Sequence, residues 1–237
     1  MVRQYERNRY AFSEFLGLAE QSDLRAELRD FPGVPFEFFG GVEDAERVVL
    51  RLGDSAALGY DEPWPISLVE IKPKNEKFAD ALTHRDFLGA VLNLGLTRER
   101  IGDIYIADHT GYVFCLDTNA SFIVDQLERV KHTSVTCRLA GELPPIPTRE
   151  PDVLEVQCAS LRLDLILSKV YQLSRSEAEQ LFAADRVFVD GRVCRQGSRE
   201  LTPGALVSVR GHGRLRLLAD AGFTRKGNHK LQVAITK

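Results

Sequence analysis

The sequence predicts an α+β protein built from two or three units, and three observations carry that expectation. Four prolines in the eleven residues from Gly141 to Pro151 exclude helix and interior strand and mark a linker. The stretch before it alternates in the order β-α-β-β-α-β, that of a split βαβ, or ferredoxin-like, sandwich. The stretch after it reads as two short helices followed by strands. The expected division is an N-terminal helical element with a first strand over residues 1–60, a ferredoxin-like middle domain over 61–140, a Pro-rich linker over 141–153 and a C-terminal domain over 154–237.

Element by element, the apolar residues Tyr10, Phe12, Phe15, Leu16 and Leu18 are spaced for a helix, and Arg47 to Leu52 reads as a strand that extends the middle sheet. In the middle domain the apolar run Ile66 to Ile71 is a strand and Thr83 to Leu94 a helix. Strands are expected at Ile104 to Ala107 and Tyr112 to Leu116, joined by a hairpin turn at Asp108 to Gly111. A second helix over Ala120 to Val130 and a strand over Ser134 to Leu139 complete the pattern. Beyond the linker, helices are expected at Leu161 to Tyr171 and Arg175 to Ala184, and strands at Val187 to Val189, Val193 to Cys194, Leu206 to Val209, Leu215 to Leu218 and Leu231 to Ile235. Asp190-Gly191 is a hairpin signal, and Thr202-Pro203-Gly204-Ala205 has Pro and Gly where a type II turn wants them.

With 237 residues, 44% of them hydrophobic, the chain is long enough to build ordinary packed cores. No run approaches 18 uncharged apolar residues, and the three arginines in the first ten residues lead into no apolar signal core, so a cytoplasmic protein without a membrane span is expected. Cys115, Cys137, Cys158 and Cys194 are too far apart for a C-x-x-C pair, which argues for reduced thiols and against a metal site. The net charge of −3 conceals a segregation: residues 154–237 hold 14 Lys and Arg against 8 Asp and Glu, or +6, leaving residues 1–153 at −9. A basic module joined to an acidic one can bind phosphate locally while the whole chain stays near neutral.

The most informative stretch is Leu161 to Val193. Leu163, Ile166, Leu167 and Val170 share one face of the first helix, leaving Arg162 and Lys169 on a second. Ser174 and Glu177 spell a capping box for the next helix, a purely structural role. A helix start also presents free N–H groups and partial positive charge, so Arg175 beside it suits a phosphate site. On this reading Arg162, Arg175, Arg186, Arg192 and Arg195 converge on one surface, although charged residues are more commonly just solvated. Two Gly-containing basic loops follow, Arg210-Gly211-His212-Gly213-Arg214 and Thr224-Arg225-Lys226-Gly227-Asn228-His229-Lys230, where glycine lets the backbone approach a phosphate closely. The expected RNA contacts are Arg162, Lys169, Ser174, Arg175, Arg192, Arg195, Arg210, Arg214, Arg225 and Lys226. His84 and Arg85, at the start of the first middle-domain helix, form a possible second contact, although the capping box at Thr83 to Asp86 favours a structural role there; Lys72, Lys74 and Lys77 lie upstream, where a solvated loop explains them equally well.

Arg162-Leu163-Asp164, Leu173 to Ala178 and Val187 to Gly191 resemble the alpha-L RNA-binding domain of the ribosomal small-subunit protein four type. The two basic loops, with Thr83 to Ala90, Leu94-Gly95-Leu96, Ile101-Gly102-Asp103, Phe39-Gly40-Gly41 and Ala45-Glu46-Arg47, are similar to motifs of the YlmH family across nearly the whole chain. The resemblance implies a bacterial, cytoplasmic protein of translation that binds ribosomal RNA and tRNA on the large ribosomal subunit and acts in quality control of stalled nascent chains. His212 stands where family members usually carry an aromatic residue, and His can also stack on a base.

No Walker loop, dinucleotide fingerprint, H-E-x-x-H or G-x-S-x-G motif occurs, so neither an enzyme nor a cofactor is expected. Asp103, Asp108, His109 and Asp117 sit at expected strand ends and turns, where Asp is favoured by local hydrogen bonding. Two other classes stay open: an RNA-modifying enzyme with a middle-domain site, and a protein-interaction adaptor linked to cell division. A monomer is expected.

Overall fold

A computed structural model describes residues 1–43, 45–75, 80–145 and 152–236, which fold as two units, Met1–Pro147 and Thr148–Lys237. Lys77 and part of the Pro-rich segment lie outside the described residues.

The N-terminal part is richer in strand than its sequence suggests. A short helix α1 (Val2–Tyr5) leads into strand β1 (Ala11–Leu16), helix α2 (Leu18–Glu27), a 3₁₀ turn, and strands β2 (Phe36–Phe39) and β3 (Val48–Leu52). These strands make an antiparallel sheet in the order β1-β3-β2. Two expectations are corrected here. The apolar residues Tyr10 to Leu16 do not begin a helix, and Val48–Leu52 is the centre of this separate sheet instead of an addition to the middle one. The misreading of β1 has a physical cause: its register against β3 shifts between Phe12 and Phe15, a bulge that breaks the period-two pattern. At the bulge the Ser13 hydroxyl accepts the Leu50 N–H at 2.8 Å, replacing a lost ladder bond.

After a turn of helix, α3 (Ser55–Leu58), the middle region runs β4 (Ile66–Pro73), α4 (His84–Leu92), β5 (Ile101–Ala107), β6 (Thr110–Leu116), α5 (Asp117–Gln126), β7 (Arg129–Val130) and β8 (Thr133–Ala140). The sheet order is β5-β6-β4-β8-β7, antiparallel throughout. Alternation sends Val69, Ile71, Val113, Cys115 and Val135 to one face, where they bury against Phe87 and Val91 of α4 and Ala120 and Ile123 of α5. The opposite face packs Leu68, Phe114 and Leu116 against Phe15 and Val49 of the N-terminal sheet. Gly41 makes that approach possible: at φ 98° a Cβ there would lie 2.3 Å from the Phe114 ring.

Arg47 ties the two layers together. Its guanidinium donates to the carbonyls of Ile101 (2.9 Å), Phe15 (2.9 Å) and Arg98 (3.0 Å), while Asp103 accepts the Glu46 N–H at 2.6 Å. Burial raises the pKa of Asp103, and those backbone N–H bonds pull against it. Asp117 accepts the Ser67 hydroxyl at 2.6 Å, and Asp108 and His109 supply the two positive-φ positions of the β5–β6 hairpin turn, which accounts structurally for each of these residues.

The C-terminal unit contains β9 (Asp152–Cys158), α6 (Leu163–Tyr171), α7 (Arg175–Ala183), β10 (Val187–Val189), β11 (Arg192–Val193), β12 (Leu206–Val209), β13 (Gly213–Phe223) and β14 (His229–Thr236). They form a six-stranded sheet, β11-β10-β12-β13-β14-β9. Strand β9 was not among the expected elements, its first two residues falling in the expected linker, yet it pairs with β14 from Asp152 to Cys158. As an edge strand with most of its residues exposed, it carries little hydrophobic pattern to read. Leu163, Ile166, Leu167, Leu181 and Phe182 of the helix pair bury against Val207, Leu215, Leu217, Leu231 and Val233 of the sheet. No helix among the described residues is long and apolar enough to cross a membrane.

Phe15 is fully buried between the N-terminal and middle sheets. Phe15→Ala is expected to destabilise the Met1–Pro147 unit by about 3–5 kcal/mol, measured by urea unfolding of that unit.

Candidate nucleic-acid interface

Helix α7 starts at the capping box its sequence spells. The Glu177 N–H donates to Ser174 Oγ at 3.3 Å, and the Ser174 N–H donates to Glu177 Oε2 at 2.8 Å. That hydrogen bonding lowers the Glu177 pKa, so the helix start carries a carboxylate of its own. Beside this end, His212 packs against the Tyr171 ring with centroids 5.4 Å apart. Burial pushes the Tyr171 pKa up to about 12.

A groove of about 300 Å³ runs along this side of α7, lined by Leu173, Glu177, Gln180, Leu181, Ala184, Arg186 and His212. Its outer wall is the turn between β12 and β13, where Gly211 and Gly213 hold φ of 90° and 114°. Only glycine takes those values without strain, and the Arg210 N–H donates to the Arg186 carbonyl at 2.9 Å, fixing the turn to the strand below. The Arg210 guanidinium lies 4.8 Å over the Phe188 ring, on the sheet face that strand alternation also gives to Arg214 and Arg216.

The five arginines expected to converge are not placed together. Of these, Arg186 lines the groove. Arg175 is 92% exposed and holds Glu179 at 3.1 Å, on the flank of α7 turned away from Glu177 and Gln180. Arg162 stands at the opposite end of α6 from Tyr171, its guanidinium clamping Asp164 at 3.1 and 2.6 Å. Arg195 clamps Asp185 at 2.7 and 2.8 Å, just beyond the C-terminal end of α7. Arg192 lies on β11 and Lys169 in the last turn of α6. Arg225 and Lys226 occupy the tip of the β13–β14 hairpin.

The second expected contact has a built setting. Asp86, held by the Thr83 N–H at 2.7 Å, the Thr83 hydroxyl at 2.6 Å and Lys131 Nζ at 2.9 Å, caps α4. These bonds, the Thr83 hydroxyl first, lower its pKa to about 2. A groove of about 550 Å³ beside this helix start brings Arg85 together with Arg129 and Lys131, and with Asp86 and Glu128. His84 opens the helix but does not line that groove. Sequence reasoning missed Arg129 and Lys131. Their signal was the basic run Arg129 to His132, which straddles the end of the expected helix at Val130 and includes a tight turn in which Lys131 adopts φ 52°.

All four cysteines are free thiols, and burial pushes Cys115 up to about 12 and Cys137 up to about 11. Among the described residues no group of three or more His, Cys, Asp or Glu could hold a metal ion.

Comparison with known proteins gives this geometry a family. A family model described as "Putative RNA-binding domain in YlmH" matches residues 60–140, and an S4 domain matches residues 161–207. The chain is 27% identical over 225 residues to the ribosome-associated protein quality control protein P2 of Bacillus subtilis, covering 93% of this chain and 85% of that protein. It belongs to the YlmH family. Among solved structures, the cell division protein YlmH from Streptococcus pneumoniae is similar at 22% identity and a TM-score of 0.46, over 59% of this chain and 83% of that one. In this YlmH-family chain the groove beside α7 begins inside the S4 match at Leu173, and its outer wall, the Arg210 to Gly213 turn, lies just past the end of the match.

The capping carboxylate of α4 makes a pH prediction. Because the folded pKa of Asp86 lies below the ordinary carboxylate value of about 4, its stabilisation is complete above that value and is lost as pH falls through about 2. Asp86→Asn is expected to be less stable than the unaltered chain at pH 7 and to converge with it below pH 2, as read from urea midpoints across the pH series.

Proposed function

We propose that this chain is a non-enzymatic RNA-binding protein of translation, which docks on ribosomal RNA and tRNA at the large ribosomal subunit and acts in quality control of stalled nascent chains. It works as a cytoplasmic monomer without a cofactor. The observation that carries this reading is the basic glycine turn between β12 and β13, where Arg186 and His212 line the groove beside α7 and Arg210, bonded through its backbone to Arg186, sends its guanidinium to the outward sheet face. Phosphate contacts from such a turn position a folded RNA, and shape instead of base edges gives most of the selectivity. The name of the Bacillus subtilis relative supports the ribosomal setting.

The middle domain belongs to the same reading. Its β-α-β-β-α-β order, with the first strand β4 between β6 and β8, is read as a ferredoxin-like sandwich with a short added strand β7. Arg85, Arg129 and Lys131 give this otherwise acidic half a local basic groove for a second phosphate contact.

The test is co-sedimentation of the full chain with purified ribosomal subunits, with and without tRNA, over a salt series. The unaltered protein is expected to travel with large subunits and release as salt rises. Arg186→Glu combined with Arg210→Glu is expected to weaken binding and to lower the slope of log affinity against log salt by about 2, one unit per lost phosphate contact, with circular dichroism unchanged. Unchanged co-sedimentation of the folded double variant would contradict the reading. New modified nucleosides after incubation with ribosomal RNA and tRNA would contradict the non-enzymatic part alone.

A further inference from the structure

Phe223 is 66% exposed, more than any other exposed large hydrophobic side chain among the described residues. It sits at the end of β13, directly opposite His229, and the two rings are 4.6 Å apart at 51°. Neither ring belongs to the core of the unit. The S4-domain match stops at residue 207, so this hairpin is outside it.

The surroundings of the ring pair are rigid and basic. The Thr224 N–H donates to the Asn228 carbonyl at 2.7 Å, the Asn228 N–H to the Thr224 hydroxyl at 3.0 Å and the Gly227 N–H to the Thr224 carbonyl at 2.9 Å. This closes a tight turn with Gly227 at φ 81° and puts Arg225 and Lys226 at its two corners, both exposed. His229 is held in place by its Nδ1–H, which donates to Asp220 Oδ2 at 2.7 Å, so the nearby carboxylate is already engaged.

An exposed, fixed aromatic face flanked by cations is what an unpaired nucleobase needs: the base stacks on the ring while its flanking phosphates meet the cations. A protein partner would favour an apolar surround, and here the turn next to the rings carries the exposed Arg225 and Lys226. We infer that the Phe223–His229 pair is a stacking platform for an unpaired base of single-stranded RNA, with Arg225 and Lys226 holding the adjacent phosphates. This site rests on the RNA-binding reading above and adds to it a single-stranded element, separate from the folded RNA held beside α7.

The probe is an RNA stem-loop with 2-aminopurine in its unpaired loop, compared with a fully paired duplex of equal length, both titrated with the full chain. The unaltered protein is expected to quench the 2-aminopurine and to bind both RNAs. Phe223→Ala is expected to lower affinity for the stem-loop by between about 5-fold and about 150-fold, to abolish the quench, and to leave the duplex affinity and the salt slope unchanged. Phe223→Trp keeps stem-loop binding. Arg225→Ala with Lys226→Ala is expected to lower the stem-loop salt slope by about 1.4, two single-strand phosphates at roughly 0.7 each. Stem-loop binding and quenching left intact by Phe223→Ala, or equal losses on both RNAs, would overturn the platform alone. Failure of the unaltered protein to bind either RNA would overturn the RNA-binding reading and the platform with it.

Discussion

The C-terminal unit is organised by one constraint: its interior is apolar, so every cation it carries must remain at the surface. Leu163, Ile166, Leu167, Leu181 and Phe182 fill one face of the sheet against Val207, Leu215, Leu217, Leu231 and Val233. An unpaired guanidinium within that layer would carry a desolvation penalty of at least several kcal/mol. The arginines are therefore confined to helix ends, turns and the outward sheet face. Where the chain also supplies an acid nearby, as Asp164 does for Arg162 and Asp185 for Arg195, the cation is neutralised at short range. Where a glycine turn carries the cation out at the tip of a hairpin, as at Arg225, it stands ready for an external anion.

The N-terminal unit solves a related problem with half-buried cations. Arg47 satisfies three carbonyls where the N-terminal sheet meets the middle sheet, and Asp103 binds the backbone beside it. Burial and the neighbouring Arg47 charge lower the Arg98 pKa to about 10, a sign of how tightly these groups are packed. The N-terminal sheet covers the Leu68 and Phe114 end of the middle sheet, while the same face continues into a polar surface where Glu70 holds Arg138 bidentately at 2.8 Å. The helices of the middle domain occupy the other face, and the start of α4 brings Arg85, Arg129 and Lys131 to one groove.

Much of this was legible because local chemistry and tertiary structure agree. The Ser174–Glu177 capping box, the Asp190-Gly191 turn with φ of 48° and 80°, and the apolar face of α6 all form where residue type alone demands them. Strand β1 was not legible because a bulge disguises its period, and β9 was not because an exposed edge strand needs no apolar alternation. The site was half legible. Residue type identifies Arg162 and Arg195 as cations, but whether a cation faces an RNA or a carboxylate of its own chain is decided by neighbours distant in space, and sequence spacing does not carry that information.

The most direct test of the account is ultraviolet cross-linking of the full chain to RNA in cells, followed by mass spectrometry of the peptides that retain a nucleotide. The account predicts ribosomal RNA and tRNA fragments attached to peptides spanning Leu173–Arg186 and Arg210–Arg214. Nucleotides found solely on peptides of the Met1–Pro147 unit, or on none, would contradict it.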